Sequence, residues 1–128
     1  MTEYLHQDLT EKIIRCFYNV FDELGYGFLE SVYESALVLE LKNIGLKVES
    51  QKELEVFYKG VSVGKYRSDI IVENKVIIEL KAVSQLTKAH EVQLVNYLKA
   101  TNIEIGLLVN FGEKINFKRK IFRNKLKD

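Results

Sequence analysis

Residues 68–81 have the sequence SDIIVENKVIIELK, and the fold predicted for the whole chain depends on them. Two runs of branched apolar residues flank a polar centre, which is typical of two antiparallel strands with a tight turn at residues 74–75. Glu79 and Lys81 are two residues apart, so their side chains leave the same face of an extended strand, roughly 7 Å apart. The turn would lay Asp69 beside Glu79 across the antiparallel pair. The stretch therefore predicts two carboxylates and one ammonium that converge on one point.

This layout suits a metal-dependent phosphodiesterase site, although the three charges alone do not distinguish it from a solvated strand face. An acid and a lysine two residues apart are frequent on strands that have one face in water. The apolar residues 76–78 before Glu79 and 82–83 after Lys81 instead indicate a strand that is covered on both faces. Unpaired charges are costly in such a strand, so they need partners or a chemical role.

Hydrophobic periodicity predicts the other elements of the chain. Apolar residues recur at helical spacing in three segments and at alternate positions in the strands. The predicted helices cover residues 9–24, 29–43 and a segment from the N-cap Thr87 to about Thr101, and the predicted strands cover residues 48–58, 61–72, 75–83 and 105–110. Residues 115–122 are a possible extra C-terminal strand.

The resulting order, α-α-β-β-β-α-β, places a helix between two strands of one sheet. Such a crossover is right-handed and makes its two strands parallel. The strand of Glu79 and the strand at residues 105–110 are therefore expected at the buried centre of a mixed sheet. The expected fold class is α/β, with a mixed central sheet flanked by helices, which is the core of the restriction-endonuclease-like fold.

Length and composition restrict the classes of protein to consider. The 128 residues are expected to form a single domain, 1–128, and 29% charged with 47% hydrophobic residues exclude a disordered chain. No apolar run approaches the ~20 residues of a membrane-spanning helix and no signal-peptide pattern is present, so we expect a cytoplasmic protein with no membrane partner. The only cysteine, Cys16, lies among apolar helix positions and is expected in the core.

Positive charge is concentrated at the C-terminal end of the chain. Residues 114–128 carry a net charge of +6, whereas the remainder carries −5. The basic residues of this segment are Lys114, Lys118, Arg119, Lys120, Arg123, Lys125 and Lys127. A basic end on an acidic body predicts a contact with a phosphate backbone, and a frayed, solvated tail is the equally weighted alternative.

The segment Gly27-Phe28-Leu29-Glu30-Ser31-Val32-Tyr33 fits a Gly-x-x-Glu-x-x-Tyr signature. Through this segment the chain resembles the GxxExxY family of small bacterial and archaeal proteins, and the resemblance extends nearly to the end of the chain. That family is grouped with the PD-(D/E)xK nuclease superfamily. The resemblance therefore implies a nuclease scaffold.

The resemblance also implies roles for individual residues. The three defining superfamily positions are matched by Asp69, Glu79 and Lys81. Glu30 matches an additional carboxylate on the preceding helix, and Gln93 with Tyr97 matches a Gln-x-x-x-Tyr motif on the following helix of several exonuclease-like relatives. Ser68 stands where the superfamily name has proline.

The helical candidates can also be judged from their spacing. Gln93 and Tyr97 lie within one narrow arc of the third predicted helix, beside the apolar stripe that must face the sheet. They can reach the site from there, although an ordinary surface amide and an amphipathic aromatic are the alternative. Glu30 could equally serve the helix N-terminus, where the helix dipole favours a carboxylate. Tyr33, one turn further along, is expected in core packing.

The predicted function is hydrolysis of phosphodiester bonds in nucleic acid, with DNA favoured over RNA and Mg²⁺ or Mn²⁺ as the cofactor. The expected metal ligands are Asp69, Glu79, the Leu80 backbone carbonyl and Glu30. Lys81 would orient or deprotonate the attacking water, and Gln93 would position water or phosphate. The alternatives are a non-catalytic nuclease-like module that binds nucleic acid or a protein partner, and an enzyme for another phosphorylated substrate. The small size predicts a homodimer or a partner chain.

Overall fold

The structure, a computed structural model, describes residues 5–127. Its elements are α1 (Gln7–Leu24), α2 (Glu30–Asn43), β1 (Val48–Tyr58), β2 (Val61–Val72), β3 (Val76–Lys81), α3 (Lys88–Lys99), β4 (Ile105–Phe111), β5 (Ile115–Ile121) and a 3-10 helix (Asn124–Leu126). The predicted order is confirmed, and β5 is the extra C-terminal strand. No helix within residues 5–127 combines the length and the apolar character needed to cross a membrane.

The five strands form one mixed sheet in the order β1-β2-β3-β4-β5. Strands β3 and β4 are parallel, as the crossover through α3 requires, and the other three neighbouring pairs are antiparallel. Strand β3, which carries Glu79, is therefore the middle strand. The predicted α/β class and the restriction-endonuclease-like arrangement are confirmed.

Helices cover the two faces of this sheet and form two apolar cores. Helices α1 and α2 pack on one face around residues such as Phe17, Leu37 and Ile78. Helix α3 packs on the other face, where Ile77 contacts the cluster that contains Leu94. Side chains of successive residues in β3 thus alternate between the two cores, which makes both faces of this strand buried.

A glycine in β4 lets α3 approach the sheet closely. A Cβ atom at Gly106 would lie 2.6 Å from a methyl carbon of Leu94. Thr87 caps the start of α3, since its hydroxyl accepts from the His90 backbone while the His90 ring accepts from the Thr87 backbone. Together the cap and the close approach fix the position of α3 relative to β3.

The turn between β2 and β3 lies one residue earlier than predicted. Its central residues are Glu73 and Asn74, which both have positive φ, and Lys75 donates its backbone N–H to the Val72 carbonyl. Glu73 also exchanges hydrogen bonds with the backbone of Lys47, which anchors it to the segment before β1. The turn therefore begins at Glu73, one residue before the predicted pair 74–75.

The basic C-terminal segment is docked against the rest of the chain. Arg119 donates to the Leu5 carbonyl, and Lys120 forms a 2.7 Å ion pair with Glu91 of α3. The ammonium of Lys127 donates to the backbone carbonyls of two residues that follow α3, Thr101 and Ile103. The alternative of a frayed tail therefore does not describe residues up to Lys127.

Candidate active site

Asp69 lies where strands β2 and β3 separate. The last backbone pair between these strands is Ile70 with Ile78, and Asp69 is the next residue on β2. Its Oδ2 atom accepts a hydrogen bond from the Leu80 backbone N–H at 2.8 Å, so a side chain takes the place of a ladder bond. Because the N–H and C=O of one strand residue point to the same side, the Leu80 carbonyl also lies on the Asp69 side of β3.

Glu79 is the buried carboxyl group of the site. Alternation along β3 puts it on the α3 side with Ile77, and only 7% of its surface is exposed. Its Oε1 atom has no hydrogen-bond partner. Burial, followed by the negative charge of Asp69, raises the pKa of Glu79 to about 8, and the ammonium of Lys81 opposes this shift. Two neighbouring carboxyl groups therefore share a site that disfavours two negative charges unless a cation is present.

Lys81 ends strand β3 and is half-buried. The residue opposite it on β4 is Asn110, whose side-chain amide donates to the Val83 carbonyl and accepts from the Val83 N–H, both at 2.9 Å. A Cβ atom at Gly112 would lie 2.6 Å from the same carbonyl. The predicted extension of the strand to Val83 was wrong because Asn110 holds this backbone in place of a ladder partner.

Helix α3 contributes Tyr97 and Gln93 to the surroundings of the two carboxyl groups. Burial and then the charges of Glu79 and Asp69 raise the pKa of Tyr97, whereas a hydrogen bond with Gln93 lowers it. The Tyr97 ring stacks on the Tyr66 ring of β2, with centroids 3.7 Å apart and planes 8° apart. The helix thus presents a glutamine and a tyrosine beside the carboxylates.

Tyr66 reaches α3 because the side chains of the β1–β2 hairpin switch faces along the strands. Residues of the same parity face α1 and α2 in one part of the hairpin and α3 in the other. Ile70 packs against α1 and α2, whereas Tyr66, also an even-numbered residue of β2, stacks on Tyr97 of α3. On the neighbouring strand, Gln51 has a φ of +54° and interrupts the ladder, and beyond it Leu54 packs in the α3 core. Strict alternation along β2 contains no signal for this switch, so sequence analysis missed Tyr66.

Helix α2 supplies a second missed residue, Glu34. Burial raises the pKa of Glu34, a hydrogen bond from Gln51 opposes the shift, and the charges of Asp69 and Glu30 raise it further. Gln51 donates to both carboxylate oxygens of Glu34 at 3.0 Å. The predicted candidate Glu30 is exposed at the first residue of α2, one turn before Glu34. The spacing of four residues was the available signal for Glu34, since both residues lie on one side of the helix.

Tyr33, the last residue of the Gly-x-x-Glu-x-x-Tyr signature, has a structural role. It is fully buried and stacks on Phe111 with ring centroids 4.6 Å apart. Its hydroxyl donates to the Gly25 carbonyl and accepts from the Phe28 N–H. Tyr33 therefore fastens the loop between α1 and α2, in agreement with the expected core packing.

The oxygen atoms at this point fit a small divalent cation. Mg²⁺ and Mn²⁺ prefer hard oxygen ligands, and Glu79 Oε1 is a buried acceptor with no partner beside the Asp69 carboxylate. Within residues 5–127, no three His, Cys, Asp or Glu side chains are close enough together to form a ligand set. The Leu80 carbonyl, on the Asp69 side of β3, is a candidate for a third protein oxygen.

Basic side chains of β5 lie on the same face of the sheet as Glu79. Leu108 of β4 is paired with both Glu79 and Lys118, which sets Lys118 two strand spacings, or about 10 Å, from Glu79. Lys118 is exposed. Leu108 itself is buried in the α3 core, so α3 covers the sheet between these two side chains.

Residues 7–123 match the family model of the PD-(D/E)XK nuclease superfamily, and the chain belongs to that superfamily. The match covers α1, α2, α3 and all five strands described above. The predicted nuclease-like scaffold is confirmed at this level.

A solved structure supports the same scaffold. The fold is similar to the crystal structure of SSO0001, with a TM-score of 0.59 and 25% sequence identity, and the similarity covers 73% of this chain. This chain spans 50% of the length of SSO0001. No curated protein matches the sequence.

Proposed function

We propose that this chain hydrolyses phosphodiester bonds of nucleic acid with the help of Mg²⁺ or Mn²⁺. The observation that carries the proposal is the carboxyl pair Asp69 and Glu79, in which a buried oxygen of Glu79 lacks a partner. Such a pair is unfavourable by itself, because burial and like charge both oppose ionisation. It becomes favourable as a cation ligand set, and membership of a nuclease superfamily supports that use.

The ion would be held by Asp69, Glu79 and the Leu80 carbonyl. When bound, it neutralises a non-bridging phosphate oxygen and lowers the pKa of an attacking water. Glu34 and Glu30 contribute negative charge from α2 and extend the acidic surface at which hydrated cations collect.

Lys81 and α3 would act on the phosphate and on the attacking water. The Lys81 ammonium, fixed at the end of β3, orients the water and stabilises the negative charge that develops on the pentacovalent phosphorus. Gln93 is exposed and lies one turn from Tyr97 on α3, so its amide can position the water or a phosphate oxygen.

The proposed substrate is DNA, bound along the β5 side of the site by Lys118 and the exposed basic residues that follow. A duplex or single strand places several phosphates along a groove, and each neutralised phosphate adds salt-dependent affinity. We also propose that the protein acts as a homodimer or with a partner chain and that it belongs to the GxxExxY group, whose signature it carries at residues 27–33. Residues 1–128 would form a single nuclease domain.

The direct test is cleavage of single-stranded, duplex and branched DNA and RNA in Mg²⁺ or Mn²⁺. Lys81→Ala should lower the cleavage rate by about 10²–10³ while nucleic-acid binding is retained, because the ammonium acts mainly on the transition state. Lys75→Ala is the matched control, since Lys75 is an exposed lysine of the same hairpin, at its far end. That control should cleave at the wild-type rate.

Two outcomes would decide against hydrolysis. If the wild type binds one of these nucleic acids and cleaves none, and Lys81→Ala binds it equally, the chain is a non-catalytic nucleic-acid-binding module. If the wild type neither binds nor cleaves any nucleic acid in the panel, the chain acts on another phosphorylated substrate or binds a protein partner instead.

A further inference from the structure

The buried polar atoms without a hydrogen-bond partner are concentrated at the candidate site. Within residues 5–127 they are Tyr66 Oη, Ser68 Oγ and Glu79 Oε1. Tyr66 and Ser68 precede Asp69 on β2, and Glu79 lies on the adjoining strand. A buried polar group without a partner costs about 1–3 kcal/mol, so folded proteins keep few of them. Because they lie on two adjoining strands, a water molecule or ligand added here would satisfy polar groups that have no protein partner.

The hydroxyl of Tyr66 is held in a defined position. Its ring stacks on the Tyr97 ring with planes 8° apart, and Tyr97 is fixed in turn by α3. Burial and the charge of Glu79 both raise the pKa of Tyr66, which places the phenol within electrostatic reach of that carboxyl group. The stack therefore places the phenol ring on the α3 side of the sheet, where Glu79 also lies.

The two atoms have complementary hydrogen-bonding capacities but do not bond to each other. A tyrosine hydroxyl donates one hydrogen bond, and a carboxylate oxygen only accepts. One water molecule between them would accept from Tyr66 and donate to Glu79 Oε1, which satisfies both groups at once.

We propose that Tyr66 is a positioning residue of the site, whose hydroxyl shares one water molecule with Glu79 Oε1 and thereby orients the Glu79 carboxylate toward a bound divalent cation. The inference rests on the function proposed above. It adds a role for a residue of β2 that is distinct from the roles of Asp69, on the same strand, and of Tyr97, on α3. A hydrogen bond to a metal-binding side chain restricts the rotamers of that side chain before the cation binds.

Calorimetric titration with Mn²⁺ tests this role in three proteins: wild type, Tyr66→Phe and Tyr58→Phe. Phenylalanine at position 66 keeps the stack on Tyr97 and removes only the oxygen. Tyr66→Phe should bind Mn²⁺ about 10-fold more weakly than the wild type. Tyr58→Phe removes the same oxygen at the exposed end of the hairpin, where 62% of the residue is accessible, and should bind as the wild type does.

The outcomes separate this inference from the proposed function. If the wild type binds no Mn²⁺, both fail. If the wild type binds and Tyr66→Phe binds equally well, only the role of Tyr66 fails. Should Tyr66→Phe not fold, a crystal structure of the wild type decides: a water about 3 Å from both oxygens supports the inference, and a direct bond or an empty space overturns it.

Discussion

The two central strands, β3 and β4, are both buried, and each carries one buried polar side chain near its C-terminal end. In β4 this residue is Asn110, whose amide oxygen and nitrogen are both paired with Val83. In β3 it is Glu79, which lies beside a second carboxyl group and keeps one oxygen without a partner. The satisfied residue fixes the backbone, whereas the unsatisfied residue is available to bind something else.

The same contrast predicts which substitutions reduce stability and which reduce activity. Removing a satisfied side chain leaves its former partners buried and unpaired, which destabilises the fold. Removing an unsatisfied buried carboxyl group removes the cost of burying an ionisable group and destabilises little, although it eliminates a ligand.

The largest effect is expected for Glu79→Gln, which replaces the carboxyl group with a group of the same shape that cannot ionise. Cleavage should fall by about 10³ or more because a metal ligand is lost. The free energy of unfolding without metal should stay the same or increase. Single-turnover cleavage and urea unfolding measure the two quantities. A clear loss of stability without metal would mean that Glu79 stabilises the fold as Asn110 does.

Asn110→Ala should reduce stability instead. The substitution leaves the N–H and C=O of Val83 without their side-chain partner, for which a loss of about 2–4 kcal/mol in the free energy of unfolding is expected. Asn116→Ala is the control, because Asn116 is the exposed residue paired with Asn110 on β5. Urea unfolding of both variants checks the prediction, which is contradicted if they lose equal amounts.

Cation binding should stabilise the native state through the unsatisfied carboxyl pair. At a Mg²⁺ or Mn²⁺ concentration 100 times the dissociation constant, mass action adds about 2.7 kcal/mol to the free energy of unfolding. A thermal shift assay should therefore show a rise in the melting temperature of the wild type and none for Glu79→Gln. An equal rise in the variant would place the ion elsewhere.

The pKa of Glu79 predicts a pH dependence of stability in the absence of metal. Its folded-state value of about 8 exceeds the ordinary value of 4.5. At a pH between these two values, the carboxyl group is protonated in the folded protein and ionised in the unfolded chain. The stabilising contribution is complete below the lower value and is lost as the pH rises through the higher one. The free energy of unfolding of the wild type, measured relative to Glu79→Gln, should fall across this interval. A constant difference would mean that the carboxyl group is not perturbed.

The smallest effect is expected on the basic face of β5. Lys118→Ala should weaken DNA binding a few-fold and reduce the salt dependence of the affinity by roughly one phosphate contact. Lys12→Ala, an exposed lysine of α1 on the other side of the sheet, is the control. Binding titrations at several salt concentrations distinguish the two variants. If the affinity of both depends equally on salt concentration, β5 does not contact DNA. Truncating the chain after Phe117 is unsuitable for this purpose because it would cut β5 within the sheet.

Local pattern was sufficient to predict the element order and most of the sheet. The apolar runs on either side of Glu79 predicted a buried strand, and the connection through α3 predicted that β3 and β4 are parallel. Asp69, Glu79 and Lys81 could be placed on one face because alternation along β2 and β3 holds up to Asp69. Nearly all of this information lies within residues that are close in sequence.

The residues that were missed depend on contacts between distant parts of the chain. Tyr66 meets Tyr97 only because the hairpin changes face near Gln51, a change that no alternation rule contains. Glu34 approaches Asp69 because α2 packs against the start of the sheet. The docking of Lys127 on the carbonyls after α3 likewise depends on the path of the last residues, which composition does not determine.

The strands lie in the sheet in the same order as in the chain, and this has a consequence for synthesis on the ribosome. Each strand that emerges can pair at once with the strand that emerged before it, so no strand has to insert between two that are already joined. The β2–β3 hairpin with both carboxyl groups can form before α3 has been made. Its repelling charges are then exposed to water, and the α3 core closes over them only after residues 88–99 have been made.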